Sequence, residues 1–368
     1  QLLTGPPEAS EPRSRSLAFL FLGRQCGNNE MTDAVDLTST PPVDWDIPSI
    51  VDALRTVRLN ALEHRKRRQN PPKLPSRKTL EAIVDGLAAA LFPNRLGLPD
   101  LKEDGLDYFV GHTLDVALKE LHTQIRLELA FVSSLEPDRE DQATPSARSI
   151  VSRFAAALPH IRQTLDTDIL AAYEGDPAAR SVDEVLVCYP GITAIIHHRL
   201  AHQLYQLGVP LVARMIAEIA HSRTGIDIHP GATIGHSFFV DHGTGVVIGE
   251  TTIIGDHVRL YQAVTLGAKR FPADESGVLI KGNARHPIVE DDVVVYAGAT
   301  ILGRITIGRG SSIGGNVWLT HSVPPGSNIT QAQMRSGVLP LPEGQMAANA
   351  APDNHPSGPA QSAGPEPS

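Results

Sequence analysis

The chain has 368 residues, 41% hydrophobic and 20% charged, with a formal net charge of −9. That length and apolar content suffice for two or three packed domains, and the acidic balance speaks against a general nucleic-acid role. Two cysteines, Cys26 and Cys188, make no disulfide framework and fit a reducing, cytoplasmic setting.

Residues 1–46 read as a disordered N-terminal extension. Ser16–Gly23 is apolar behind Arg13 and Arg15, but it is short and no small-x-small cleavage site follows. No stretch approaches the ~20 apolar residues of a membrane span, so no membrane role is expected.

Residues 47–223 read as an α-helical domain. Ile50, Leu54, Val57, Leu59 and Leu62 recur at helical spacing, and the basic run Arg65-Lys66-Arg67-Arg68 before Asn70-Pro71-Pro72 reads as a solvated helix end. Leu80–Leu91, Leu106–Val132 and Ala147–Tyr173 are further amphipathic segments, and Pro137–Pro145 reads as a loop. Ile192–Ile219 is the last helical stretch, with a break expected at Gly208-Val209-Pro210.

A different beat then takes over. Val289, Val295, Ile301, Ile307, Ile313 and Leu319 recur at an interval of six, with small and turn-forming residues between them. Six matches neither the 3.6 of a helix nor the 2 of a strand. It matches a parallel β-helix, in which each short strand and turn sends one aliphatic side chain inward. Ile228, Ile234, Val240 and Val246 form one earlier register, and Ile248, Ile254, Leu260 and Leu266 a second, displaced by two. The segment Gly267–Pro287 interrupts the beat and is expected to leave the coil as a loop on the binding face. The coil is placed at 224–330, with a disordered, Pro-, Gly-, Ala- and Ser-rich tail at 331–368.

Polar groups on this coil carry the chemistry. His242 follows interior Val240 and leads into glycines, which puts it at an outward corner. An imidazole takes a proton from an alcohol as that alcohol attacks a carbonyl, and it does so best with a carboxylate on its other nitrogen. Asp227, fifteen positions earlier, is near one ~18-residue coil away and is a candidate to stack beside the ring. Asp241, adjacent in sequence, is expected to point toward a substrate amine instead.

The strings Asp227-Ile228-His229-Pro230, Val240-Asp241-His242-Gly243-Thr244-Gly245, Val264-Thr265-Leu266-Gly267, Arg285-His286-Pro287 and Ile301-Leu302-Gly303, in this order, resemble serine O-acetyltransferase. The resemblance covers about Asp168 to Gly326. It implies an α+β chain, with an N-terminal α-helical domain followed by a left-handed parallel β-helix of hexapeptide repeats. It implies acetyl transfer from acetyl-CoA to L-serine in cysteine biosynthesis, without a metal. His242 would be the general base and Asp227 its carboxylate partner. Asp176 and Asp241 would hold the amino group of serine, and Arg285 and His286 its carboxylate, with Glu250 in support. Thr265, Gly267, Ala297, Gly298, Gly314 and Gly315 would offer backbone contacts to the pantetheine arm, and Lys269, Arg270, Lys281 and Arg335 would meet the CoA phosphates. The resemblance also implies a homotrimer or a dimer of trimers, with the cleft between coils.

Two departures from the family pattern stand out. Phe271-Pro272-Ala273-Asp274-Glu275 lengthens the loop, and after Pro324-Pro325 the usual Gly-Val-Pro-Ala-Arg continuation gives way to Gln331-Ala332-Gln333-Met334-Arg335, which weighs against the family's CoA phosphate contacts. The tail also ends in Pro365-Glu366-Pro367-Ser368 and not in the isoleucine by which many members dock O-acetylserine sulfhydrylase, which weighs against that complex. Other acceptors, such as O-phosphoserine, homoserine, a sugar or an antibiotic, are the alternative within the same chemistry. A carbonic-anhydrase-like zinc site would need His236, His242 and His257 to converge between subunits; their spacing does not bring them together.

Overall fold

The computed structural model describes residues 45–64, 72–135, 145–270, 277–280 and 282–332. The basic run 65–68, the inserted residues 271–275, Lys281, Arg335, residues 136–144 and both termini lie outside the described residues. The chain divides into two units, Gln1–Gln69 and Asn70–Ser368. In the first, helix α1 (Ile47–His64) shows exposed Ile50, Leu54 and Val57.

The second unit begins with helices whose starts are written in the sequence. Ser76, Ser146 and Ser181 each accept, through the side chain, a backbone N–H three residues on, and so cap α2 (Arg77–Leu91), α5 (Ala147–Gly175) and α6 (Val182–Cys188). Between them lie α3 (Pro93–Leu96) and α4 (Leu106–Leu135). Leu80, Ile83, Val84 and Leu87 of α2 pack against Ala117, Leu121 and Ile125 of α4, an i, i+3, i+4, i+7 face buried against its partner. The short α6 was not foreseen.

The expected break is present. α7 (Pro190–Gln206) stops before Gly208, and α8 (Pro210–Thr224) restarts with proline at its first position. Its free N–H groups are capped from far away: the buried Glu128 carboxylate accepts from Leu211 N–H at 2.8 Å and Val212 N–H at 2.7 Å. Burial pushes that carboxyl upward, and the two N–H groups oppose it. A buried ion pair then joins helices to coil. Asp168 of α5 holds Arg199 of α7 at 2.6 Å, and Arg199 reaches the carbonyl oxygens of Ile234 and Gly235 while Asp168 accepts from Phe238 N–H.

α8 ends at Gly225, φ +71, and the chain enters a coil with fourteen short strands among the described residues, all paired in parallel. Face A stacks β1 (Asp227–Ile228), β4 (Val247–Ile248), β7 (Thr265–Gly267), β10 (Thr300–Leu302) and β13 (Trp318–Leu319). Face B stacks β2 (Thr233–Ile234), β5 (Ile253–Ile254), β8 (Ile288–Val289) and β11 (Thr306–Ile307). Face C stacks β3 (Phe239–Val240), β6 (Arg259–Leu260), β9 (Val294–Val295), β12 (Ser312–Ile313) and β14 (Asn328–Ile329). The second residue of each of these strands is buried, so the beat of six is the coil interior.

One detail of the expected register is corrected. Val246 is buried, but the interior rung of β4 is Ile248, paired with Ile228 twenty positions before it and Leu266 eighteen after. Two extra residues therefore sit in the turn between β3 and β4. That turn contains His242.

Candidate active site

The coil has three edges, and each candidate residue belongs to one of them. The edge between faces C and A carries Asp241 and His242, with Ala297 and Gly298 and then Gly314 and Gly315 further along the same edge. The edge between faces A and B carries His229, Glu250, Arg285 and His286, and the long loop leaves from it. His236 and His257 lie on the edge between faces B and C, beside Asp256 and Asp292. They share no edge with His242, so within one chain the three-imidazole arrangement does not form.

The two-residue lengthening throws His242 outward. Gly243 N–H closes back on the Asp241 carbonyl at 2.7 Å, a three-residue turn with His242 at its centre, φ +58. Gly243 and Gly245 also take positive φ. The His242 side chain is 71% exposed, and its Nε2 lies 3.7 Å from Asp241 Oδ1. Among the described residues Asp241 is the carboxylate within 4.0 Å of the ring.

Asp176 reaches the same edge from the helices. It caps the C-terminal end of α5, and its Oδ1 accepts from Ala178 N–H at 2.8 Å while Oδ2 accepts the Tyr189 hydroxyl at 2.5 Å. The Tyr189 hydrogen bond is the largest cause holding Asp176 below the usual carboxylate range, with Arg259 and His242 adding their charges. That bond in turn pushes the Tyr189 hydroxyl up to about 12. Asp176 and Asp241, paired in the sequence reading, thus come together beside His242.

Asp227 does not join them within the chain. The longer first coil pairs Asp227 with Val247, and its carboxylate lies with Glu218 and His221 of α8, ligand atoms within 4.8 Å of one another. Arg214 already holds Glu218 at 2.6 Å, which makes this group an ion-pair cluster.

On the A–B edge, Arg285 is held by Glu250 at 2.6 Å, and Glu250 also accepts the Tyr205 hydroxyl at 3.0 Å. His286 is 6% exposed, and its Nδ1 accepts Thr251 N–H at 3.0 Å. Burial is the main cause that lowers His286 to about 4, followed by the neighbouring Arg285 charge. The ring lies against Gly249, where any Cβ would run into it. Arg285 and His286 are adjacent in sequence and share this edge, with Nδ1 of the imidazole engaged by Thr251.

Three participants escaped the sequence reading: Tyr189, Tyr205 and Arg259. Each sits at an unremarkable helix or strand position and acquires its role only through a partner 13, 45 or 18 residues away. The pantetheine candidates are better resolved. Gly298 has φ +71, and a side chain there would strike the Asn316 amide; Ala297 and Gly314 are half-buried and Gly315 is exposed, forming a bare strip along the C–A edge above His242. Thr265 and Gly267 are neighbours on face A. Lys269 and Arg270 are exposed beside them.

A parallel coil of hexapeptide rungs with an outward histidine, two converging carboxylates and a glycine-lined edge defines the class, a left-handed β-helix acyltransferase. No protein-family model matches the chain. It is 59% identical over 297 residues to a plasmid-borne serine acetyltransferase of Synechococcus elongatus, covering 79% of this chain and 92% of that protein. It is 51% identical over 162 residues to the serine acetyltransferase of Mycobacterium tuberculosis, covering 44% and 67%. The crystal structure of Entamoeba histolytica serine acetyltransferase 1 with L-cysteine superposes with a TM-score of 0.59 at 36% identity, over 72% of this chain and 89% of that one. The chain belongs to the serine acetyltransferase family, and its reaction is acetyl transfer from acetyl-CoA to the hydroxyl of L-serine. No helix among the described residues is long and apolar enough to cross a membrane.

Proposed function

We propose that the C–A edge is the reacting half of the site, with His242 as general base. The observation that carries this reading is the convergence of Asp176, Asp241 and an exposed His242 at the foot of the glycine strip. His242 removes the serine hydroxyl proton as the oxygen attacks the thioester carbonyl, then returns a proton to the leaving thiolate. Asp176 and Asp241 hold the serine ammonium group, and the lowered pKa of Asp176, which keeps its carboxylate ionised, favours this at neutral pH. Ala297, Gly298, Gly314 and Gly315 line the pantetheine arm, with Thr265 and Gly267 on the adjoining face and Lys269 and Arg270 toward the phosphates. Asp227 begins face A next to this edge and is the carboxylate that orients the imidazole in the working state, where its side chain leaves Glu218 and His221 of α8 and the exposed His242 ring turns toward it. No step requires a metal.

Arg285 and His286 bind the serine carboxylate, with Arg285 exchanging Glu250 for the substrate. They lie across face A from His242, on the other edge. One serine molecule therefore meets both groups where the C–A edge of one copy faces the A–B edge of the next, as a threefold assembly provides.

The test is thiol release from acetyl-CoA with L-serine. His242→Ala should lower turnover by roughly 10²- to 10⁴-fold. Asp227→Asn should lower kcat, and Asp241→Asn should chiefly raise the KM for serine. Serine-dependent release that survives His242→Ala would sink the assignment of the base.

A further inference from the structure

Asp176 and Asp241 arrive at one place from different parts of the chain, the end of α5 and the first coil, and one side chain touches both parts. Arg259 opens β6, directly above Phe239 in the ladder. Its Nη1 donates to the Gly175 carbonyl at 2.8 Å, and its Nη2 donates to Asp241 Oδ2 at 2.5 Å. The guanidinium carbon lies 4.8 Å from the Phe239 ring centroid and 4.6 Å from that of Tyr261, so both rings pack against it. Its Nε–H is buried without a partner. Gly175 is pressed close to the same ring, since a Cβ there would stand 3.0 Å from Phe239 Cδ1.

We propose that Arg259 is the positioning residue of the amine-binding half-site: it locks the end of α5 onto the coil and selects which oxygen of Asp241 faces the substrate. This rests on the reading of Asp176 and Asp241 as the serine ammonium site. The geometry explains why a guanidinium stands there. Two acceptors on separate elements must be spanned by one rigid group, and a planar fork does this where a single ammonium does not. With Oδ2 taken by Arg259, Oδ1 is left on the His242 side. The Asp176 oxygens are set in the same manner by Ala178 and Tyr189. The cation also offsets the repulsion between two carboxylates held together before an ammonium group arrives.

The test compares wild type with Arg259→Met, which keeps a stem over the two rings, and Arg259→Lys, which keeps the charge. Steady-state constants are measured for L-serine and acetyl-CoA, together with the inhibition constant of 3-hydroxypropionate, the analogue that lacks the amine. Arg259→Met should raise the serine KM roughly ten- to hundredfold, as expected for losing a charge-assisted contact in a binding site. The inhibition constant of 3-hydroxypropionate and the KM for acetyl-CoA should stay within about twofold, and Arg259→Lys should fall between. A purely structural role would weaken all three ligands together and would overturn the inference, as would an unchanged serine KM. Should Arg259→Met fail to fold, Arg259→Lys decides alone: a raised serine KM with an unchanged analogue constant supports the inference, and wild-type behaviour overturns it. A wild-type chain without serine-dependent turnover would sink the serine reading itself and this inference with it, an outcome visible before any variant is made.

Discussion

His242 occupies a backbone conformation that disfavours it. At φ +58, at the centre of a three-residue turn, its Cβ is crowded in a way glycine escapes. The same conformation recurs at the coil corners Ser237, His257, Ala263, Asp292 and Asn316, so it belongs to the coil turn, and at His242 it also directs the imidazole outward. His242→Gly and His242→Ala should both lower turnover by the same roughly 10²- to 10⁴-fold, yet the glycine variant should be the more stable by about 1 kcal/mol in denaturant unfolding. Equal stability would mean that the turn relaxes at no cost. Gly249 poses the opposite constraint, because the His286 ring occupies the space of a side chain there. Gly249→Ala should destabilise the fold by about 1–3 kcal/mol and raise the serine KM by displacing Arg285. His286 also sets an acid limit. Its folded pKa, about 4, lies below the ordinary 6.5, so the unfolded chain binds the extra proton between those values. That contribution is complete above pH 6.5 and disappears as pH falls toward 4, and buried His198, lowered chiefly by burial, acts in the same direction. The melting temperature should therefore fall over that window, less steeply in His286→Gln.

At the scale of elements, the junction between α5, α7 and the first coil matters most. Asp168 and Arg199 are paired at 2.6 Å with side chains 0% and 9% exposed, and both also bind the coil backbone. Removing one partner leaves a buried charge. Asp168→Ala should cost about 3–5 kcal/mol in unfolding experiments, far more than loss of an exposed pair such as Lys119–Asp115. The beat of six, the helix starts at Ser76 and Ser146 and the break before Pro210 were all legible, because each depends on neighbours within a few positions. The register shift was legible only as a displacement by two. Its meaning, a lengthened turn that ejects His242, needed the ladder.

For the whole molecule, the division of the site between two edges of face A makes a direct prediction. His242→Ala and Arg285→Ala chains should each be inactive alone, but co-refolded in equal amounts they should regain about a quarter of wild-type activity, since random threefold assembly restores one edge-to-edge pairing in four. Equilibrium sedimentation should find a multiple of three chains. No recovery on mixing would place both edges' functions within one chain.

Local spacing determined the coil, its interior rungs, the outward histidine and the family likeness, because a hexapeptide repeat writes its geometry in positions six apart. It also brought Asp176, Asp241, Arg285 and His286 into view through motif strings. What it did not determine was which of these meet. Asp227, fifteen residues from His242, stands beside Glu218 and His221 in this structure, because α8 leads directly into the strand that Asp227 begins. Arg259 became a site residue only because the end of α5 packs on face C, and Tyr189 only because the junction of α6 and α7 folds back on that helix end. Contacts of that kind depend on where separate elements pack against each other, and no period along the chain encodes that distance.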